Sequence, residues 1–173
     1  MSVVGPPIRV MTGALMITPA DAAPRTGAAT SDPRPKTEQH ADNFDRSGKA
    51  YAMAAPRLFT THAGAQRLGT PAEGLAPWQS TKINKPDGAT LRITATPARH
   101  GPAGIEPLSG DVIGFMASFS DGTPPLYVTG DTVWYDGVAE VARRFRPGVV
   151  LLFAGAACTR SPFNLTMNTN DAI

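Results

Sequence analysis

Disulfides, paired-cysteine metal motifs, membrane spans and blocks of like charge are all missing from this chain. It has one cysteine, Cys158, so no internal disulfide can form and no thiolate cluster can hold zinc. Cys158 follows the apolar run Leu151-Leu-Phe-Ala-Gly-Ala-Ala, which reads as a strand and its turn and predicts a small buried thiol rather than a nucleophile. No apolar run reaches the roughly 18 residues a membrane span needs. Residues 10–23 contain an Ala-Asp-Ala-Ala sequence resembling a leader cleavage site, but Arg9 is the only charge ahead of it and Pro19 interrupts it. A cytoplasmic location is therefore expected. Lys and Arg number 16 against 14 Asp and Glu, a net charge of +2, and they are scattered, which argues against a nucleic-acid stripe. A basic binding module rests only on a pI near 8.9 and ranks last.

Long helices are also excluded, because 17 Gly and 17 Pro in 173 residues impose many turns and short elements. The length suits one domain with a real core. Residues 8–11 form one plausible strand, and residues 18–37, with no large apolar periodicity and many breakers, read as a long irregular loop. A helix is expected over 46–54 and is stopped by Pro56. A strand follows at 57–61, then a short helix at 62–68 closed by Gly69, which together make one βα step. Residues 75–83 are weak strand or loop, and Pro86-Asp-Gly88 is a turn. Alternating residues 90–96 and apolar residues 112–119 are strands flanking a Gly/Pro-rich loop at 101–110, and Ser120-Asp-Gly-Thr-Pro124 connects the second of them to a partner at 126–129.

A helix over 137–145 presents Val138, Val141, Ala142 and Phe145 on one face. Residues 149–153 are wholly apolar and read as a strand buried on both faces. Residues Leu165 to Met167 begin what reads as another helix.

Three polar clusters sit where strands end, His40-Ala-Asp42-Asn43, Arg99-His100-Gly101 and Gly130-Asp131-Thr132, and a fourth, Asn164-Leu-Thr-Met167, follows the apolar strand. Strand ends are where α/β proteins place chemistry. Histidine and carboxylate are zinc-type ligands, and an acid at the end of a buried strand needs a cation or several N–H donors. Each cluster also has a plain structural reading: Asp131 as a helix or turn cap, His40 as a surface residue, His100 as a loop histidine, Asn164 as a helix cap. His62 reads as a helix-start residue, and Trp78 and Trp134 as packing.

Taken together, the clusters resemble the metallo-β-lactamase-fold hydrolases, in particular the zinc-dependent branch akin to ascorbate-phosphate lactonases and N-acyl-phosphatidylethanolamine phospholipases. The resemblance covers roughly residues 40–167. Its most specific part is the pairing of Thr96-Pro-Ala-Arg-His-Gly-Pro102 with Tyr127-Val-Thr-Gly-Asp-Thr-Val-Trp-Tyr-Asp136. It implies an αββα sandwich, a mixed α/β fold with two sheets face to face and helices outside, with one or two metal ions at one edge. The family's His-x-His-x-Asp-His motif falls on Glu38-Gln-His40-Ala-Asp42-Asn43, with Glu38 and Asn43 in place of its first and last histidines, and Asn164 replaces a later histidine. The resemblance thus implies one Zn²⁺, or Mn²⁺ or Fe²⁺ in its place, held by Glu38, His40, His100 and Asp131, with Asp42 beside it as the group that orients water or accepts its proton. The implied activity is hydrolysis of an ester, lactone or phosphodiester bond in a small molecule.

One stretch departs from the family. The residues before the first motif, Ser31-Asp-Pro-Arg-Pro-Lys-Thr37, carry two prolines and no large apolar side chain, so they cannot make the central strand that leads into that motif elsewhere. Residues 1–37 are thus expected to be a poorly ordered or non-native segment, and 38–173 a partial domain incomplete at both ends. The alternative reading is a truncated, non-catalytic remnant that binds metal weakly or not at all.

Overall fold

The computed structural model describes residues 8–11, 14–17, 46–85, 88–158 and 162–172. The expected loop at 18–37 and the motif holding Glu38, His40, Asp42 and Asn43 lie outside them.

The first sheet has the order β1 (Ile8–Met11), β2 (Ala14–Ile17), β3 (Arg57–Thr60), β4 (Ala72–Gly74). Strands β1 to β3 run antiparallel, and β4 lies parallel to β3. Parallel neighbours need a crossover, here α2 (His62–Leu68). Local chemistry fixes that helix at both ends: Thr61 Oγ1 accepts from Gly64 N at 3.0 Å, and Gly69 ends it at φ 72°, a conformation costly for any residue with a Cβ. Helix α1 (Arg46–Met53) precedes β3.

The second sheet has the order β5 (Ser80–Asn84), β6 (Thr90–Pro97), β7 (Ile113–Phe119), β8 (Leu126–Val128), β9 (Val149–Leu151). It is antiparallel until β9, which runs parallel to β8 and is reached through α4 (Asp136–Phe145). A short helix, α3 (Glu106–Ser109), precedes β7, and a 3-10 turn (Thr169–Ala172) lies near the end of the described chain.

Strand periodicity sends alternate side chains to opposite faces, and the core divides accordingly. Phe59 from the first sheet and Leu75, just past β4, meet Leu91, Ile93, Phe115 and Ala117 from the second in one buried cluster between the sheets. On the outer face of the first sheet, Leu58 packs with Ala52, Ala55 and Leu68. On the outer face of the second, Met116 and Tyr127 pack with Val138 and Val141 of α4. Leu58 and Phe59, like Phe115 and Met116, are neighbours in sequence that serve opposite layers. The result is helix, sheet, sheet, helix, the sandwich expected from the sequence.

Several expectations need correction. Residues 149–153 do not form a strand buried on both faces: β9 stops at Leu151, and Val149, Val150 and Leu151 are 55%, 49% and 47% exposed, because no described element covers them. Cys158 is exposed. Residues Leu165 to Met167 start no helix; their backbone is instead tied to other loops, with Leu165 N donating to Ala157 O at 2.7 Å and Ala156 N to Met167 O at 2.9 Å. Asn164 is therefore no helix cap.

The loop 101–110 contains α3. Ala142 lies on the exposed side of α4, and Trp134 is exposed rather than packed. Strand β2 was not anticipated, and the weak region 75–83 resolves into β5 and the turn before it.

Candidate functional site

The second sheet brings three of the four polar clusters to one end of the sandwich. Strand β6 delivers Arg99 and His100 just past Pro97, and β8 delivers Gly130, Asp131 and Thr132 just past Val128. The loops are tied reciprocally. Arg99 N donates to Thr132 Oγ1 at 3.0 Å, and Val133 N donates to Arg99 O at 2.8 Å. His100 and Asp131 therefore each stand one residue from the tie. Thr132 also receives the third cluster, its carbonyl accepting from Met167 N at 2.7 Å. It is fully buried, and its hydroxyl hydrogen goes to Val133 O at 2.8 Å. Sequence reasoning had placed Thr132 in a cluster without giving it this organising role.

Two glycines let the strand ends approach so closely. A Cβ on Gly130, whose φ is 66°, would come within 2.7 Å of Ile113 O, and one on Gly114 within 2.6 Å of both Thr129 O and Thr96 Oγ1. Either methyl would push the loops apart.

His100 is buried. Its Nδ1 lies 3.4 Å from Ser109 O at the end of α3, a long contact. A carbonyl oxygen only accepts, so in this contact Nδ1 is the donor, an arrangement that in a neutral ring leaves the lone pair on Nε2. Such a bond on one imidazole nitrogen is the usual way a metal-binding histidine is oriented. Asp131 is partly buried. Beside them the Arg99 guanidinium lies 4.5 Å from the centre of the Tyr135 ring. Burial pushes the Tyr135 phenol above its ordinary pKa, and Arg99 offsets part of that rise.

A cavity of about 320 Å³ opens next to His100. His62, Arg99, Glu106 and Asp111 contribute its other titratable lining. His62 begins α2 as expected, yet it also faces this cleft, which its position in the sequence alone did not reveal.

His100 and Asp131 are donors of the right chemistry for a zinc-type dication. They are two, whereas a protein zinc site uses three or four, and among the described residues no group of three or more His, Cys, Asp or Glu is placed to hold a metal. The structure thus fits a metal in part, with the remaining donors sought among Glu38, His40 and Asp42.

The profile of the beta-lactamase superfamily domain matches residues 37–173. The chain belongs to this superfamily. Solved structures agree with the assignment. Isothiocyanate hydrolase from Delia radicum gut bacteria shares the fold with a TM-score of 0.57 and 24% identity, over 78% of this chain and 53% of that one. A possible metal-dependent hydrolase from Veillonella parvula DSM 2008 has a TM-score of 0.54 and 27% identity, over 66% of this chain and 45% of that one. This superfamily member thus spans about half the length of the solved structures it matches. No curated protein matches it. Among the described residues no helix is long and apolar enough to cross a membrane.

Proposed function

We propose that the chain is a metal-dependent hydrolase that cleaves an ester, lactone or phosphodiester bond in a small molecule. One observation carries the reading: the reciprocal hydrogen bonds between Arg99 and the Thr132–Val133 segment fix a histidine and an aspartate on adjoining loops at one end of the sandwich. The likeness to the Veillonella protein supports it. Glu38, His40, His100 and Asp131 would hold a single zinc ion, or manganese or iron in its place, with Asp42 beside it. When bound, such a dication polarises a substrate oxygen and acidifies water.

The chain's own residues do the rest. Asp42 is the proposed proton acceptor. Ser109 O lies 3.4 Å from His100 Nδ1 and can accept its hydrogen bond, leaving Nε2 for a metal. Gly130 and Gly114, with no Cβ, leave room for the two loops to approach.

The test is metal content after reconstitution with Zn²⁺, Mn²⁺ or Fe²⁺, measured together with thermal unfolding. One equivalent should bind, and at about a hundred times its Kd the metal should raise Tm by about 5–10 °C. His100→Gln and Asp131→Asn should each abolish the rise. A second reading, a non-catalytic remnant, is favoured by Glu38, Asn43 and Asn164 standing where the resemblance expects histidines. It prevails if no stoichiometric metal is retained.

A further inference from the structure

The two edges of the second sheet are finished differently. Edge strand β5 carries polar side chains at its exposed positions, Ser80, Lys82 and Asn84, and a lysine on an edge keeps another strand from adding to it. Edge strand β9 is Val149-Val-Leu151 and has no such guard. Consecutive strand residues point to opposite faces, so the exposure of all three means that both faces of β9 are open.

Its main chain is open as well. Val149 N donates to Pro125 O and Leu151 O accepts from Thr129 N, each at 3.1 Å. In a parallel ladder these are the residues turned toward β8, so the N–H and C=O of Val150, between them, are turned to the free edge. Among the described residues no strand lies beyond β9 in the sheet, and such an edge can take an extended peptide through main-chain hydrogen bonds.

Charge states which peptide fits. Residues 141–158 hold Arg143, Arg144 and Arg146 and no Asp or Glu. Arg143 and Arg144 share Glu140, and Asp121, on the hairpin before β8, is taken by Lys85 at 2.7 Å. Arg146 is exposed and ends α4 just ahead of β9, and no acid among the described residues pairs with it. The same edge of a second copy would bring Arg146 another segment without an acid, so self-pairing leaves it unmet.

We infer that the free edge of β9 docks an extended, acidic peptide segment of another protein, which adds to the sheet as a further strand, lays apolar side chains over Val149 to Leu151 and brings a carboxylate to Arg146. This surface does not depend on the hydrolase reading.

The experiment titrates the isotope-labelled full chain with acetyl-Glu-Glu-Val-Thr-Val-Thr-Val-Glu-Glu-amide, whose acids at both ends serve either strand direction, and with its lysine counterpart. NMR follows amide shifts and exchange. The acidic peptide should bind saturably and slow exchange at Val150, and the lysine peptide should bind at least about tenfold more weakly. Arg146→Glu should lower affinity for the acidic peptide about fivefold. Val150→Pro, which removes the outward N–H where an edge strand admits proline, should lower it about tenfold. Circular dichroism checks that both variants fold, and if Val150→Pro does not, Arg146→Glu carries the test. No saturable binding of the acidic peptide, equal affinity for the two peptides, unchanged exchange at Val150 on binding, or full affinity in Arg146→Glu would each overturn the proposal. So would a free chain that sediments as a dimer with the Val150 amide already protected, which would assign the edge to a second copy.

Discussion

Strands β8 and β9 lie side by side in one sheet, parallel and in register, and differ sharply in what covers them. Tyr127 pairs with Val150, yet Tyr127 is 2% exposed and Val150 is 49% exposed. Both strands have apolar sequences. What separates them is the layer above: Val138 and Val141 of α4 seal Tyr127 and its neighbour Met116, whereas no described element seals β9. Apolar composition states what a strand requires, and only the tertiary arrangement states whether it is met.

The comparison can be broken most forcefully at Met116, which pairs with Tyr127 across β7 and β8 and is fully buried. Met116→Ala should cost about 2–5 kcal/mol in urea unfolding, through lost burial and the cavity left behind. Next in size is a pH effect at Tyr127, whose buried hydroxyl has no hydrogen-bond partner. Burial pushes its pKa from 10.0 up to about 12, and the nearby Thr96 hydroxyl offsets part of the rise. The folded state thus favours the neutral phenol. Its contribution is fully present below pH 10 and is lost as pH rises from 10 toward 12, on the order of 2–3 kcal/mol for two units. Tyr127→Phe should remove that slope from unfolding curves recorded between pH 8 and 11.5.

Thr132→Val, which keeps the shape but deletes the acceptor for Arg99 N, should cost about 1–3 kcal/mol and speed amide exchange at Arg99. The smallest effect belongs to the uncovered strand. Val150→Ser should change stability by no more than about 0.5 kcal/mol. A loss comparable to that of Met116→Ala would show that β9 is covered in solution and would close the gap between the two strands.

What was legible in the sequence was mostly local. Helix α2 ends where expected because Thr61 and Gly69 settle its limits within one turn of chain. Strand β6 announces itself by alternation, and Leu91, Ile93 and Ala95 do face the inter-sheet core. His100 and Asp131 fall on adjoining loops as the paired motifs implied, because strand ends carry them there.

The failures were non-local. The exposure of Val149 to Leu151 depends on what packs over β9, and no residue within that strand encodes it. Leu165 to Met167 has helix-compatible composition, yet its backbone bonds go to Thr132, Ala156 and Ala157. Strand β2 is four residues long and pairs with β3 across some forty residues of chain, too short for a periodic signal to register. His62 was read correctly as a helix start, but its place on the cleft depends on Gly74 and on the loop carrying His100, both distant in sequence.

The tie between Arg99 and the Thr132–Val133 segment also bears on how such a protein can diverge. It yokes two strand ends through main-chain atoms and one hydroxyl, so the spacing of His100 and Asp131 is inherited from the sheet and not from the residues around the cleft. Residues 102–112 lie outside the yoke and supply Glu106, Gly110, Asp111 and Val112 to the cleft lining. Substitutions there can reshape what the cleft admits while the histidine and the aspartate keep their places. A directed-evolution library confined to that loop would vary selectivity while leaving the paired loop ends unaltered.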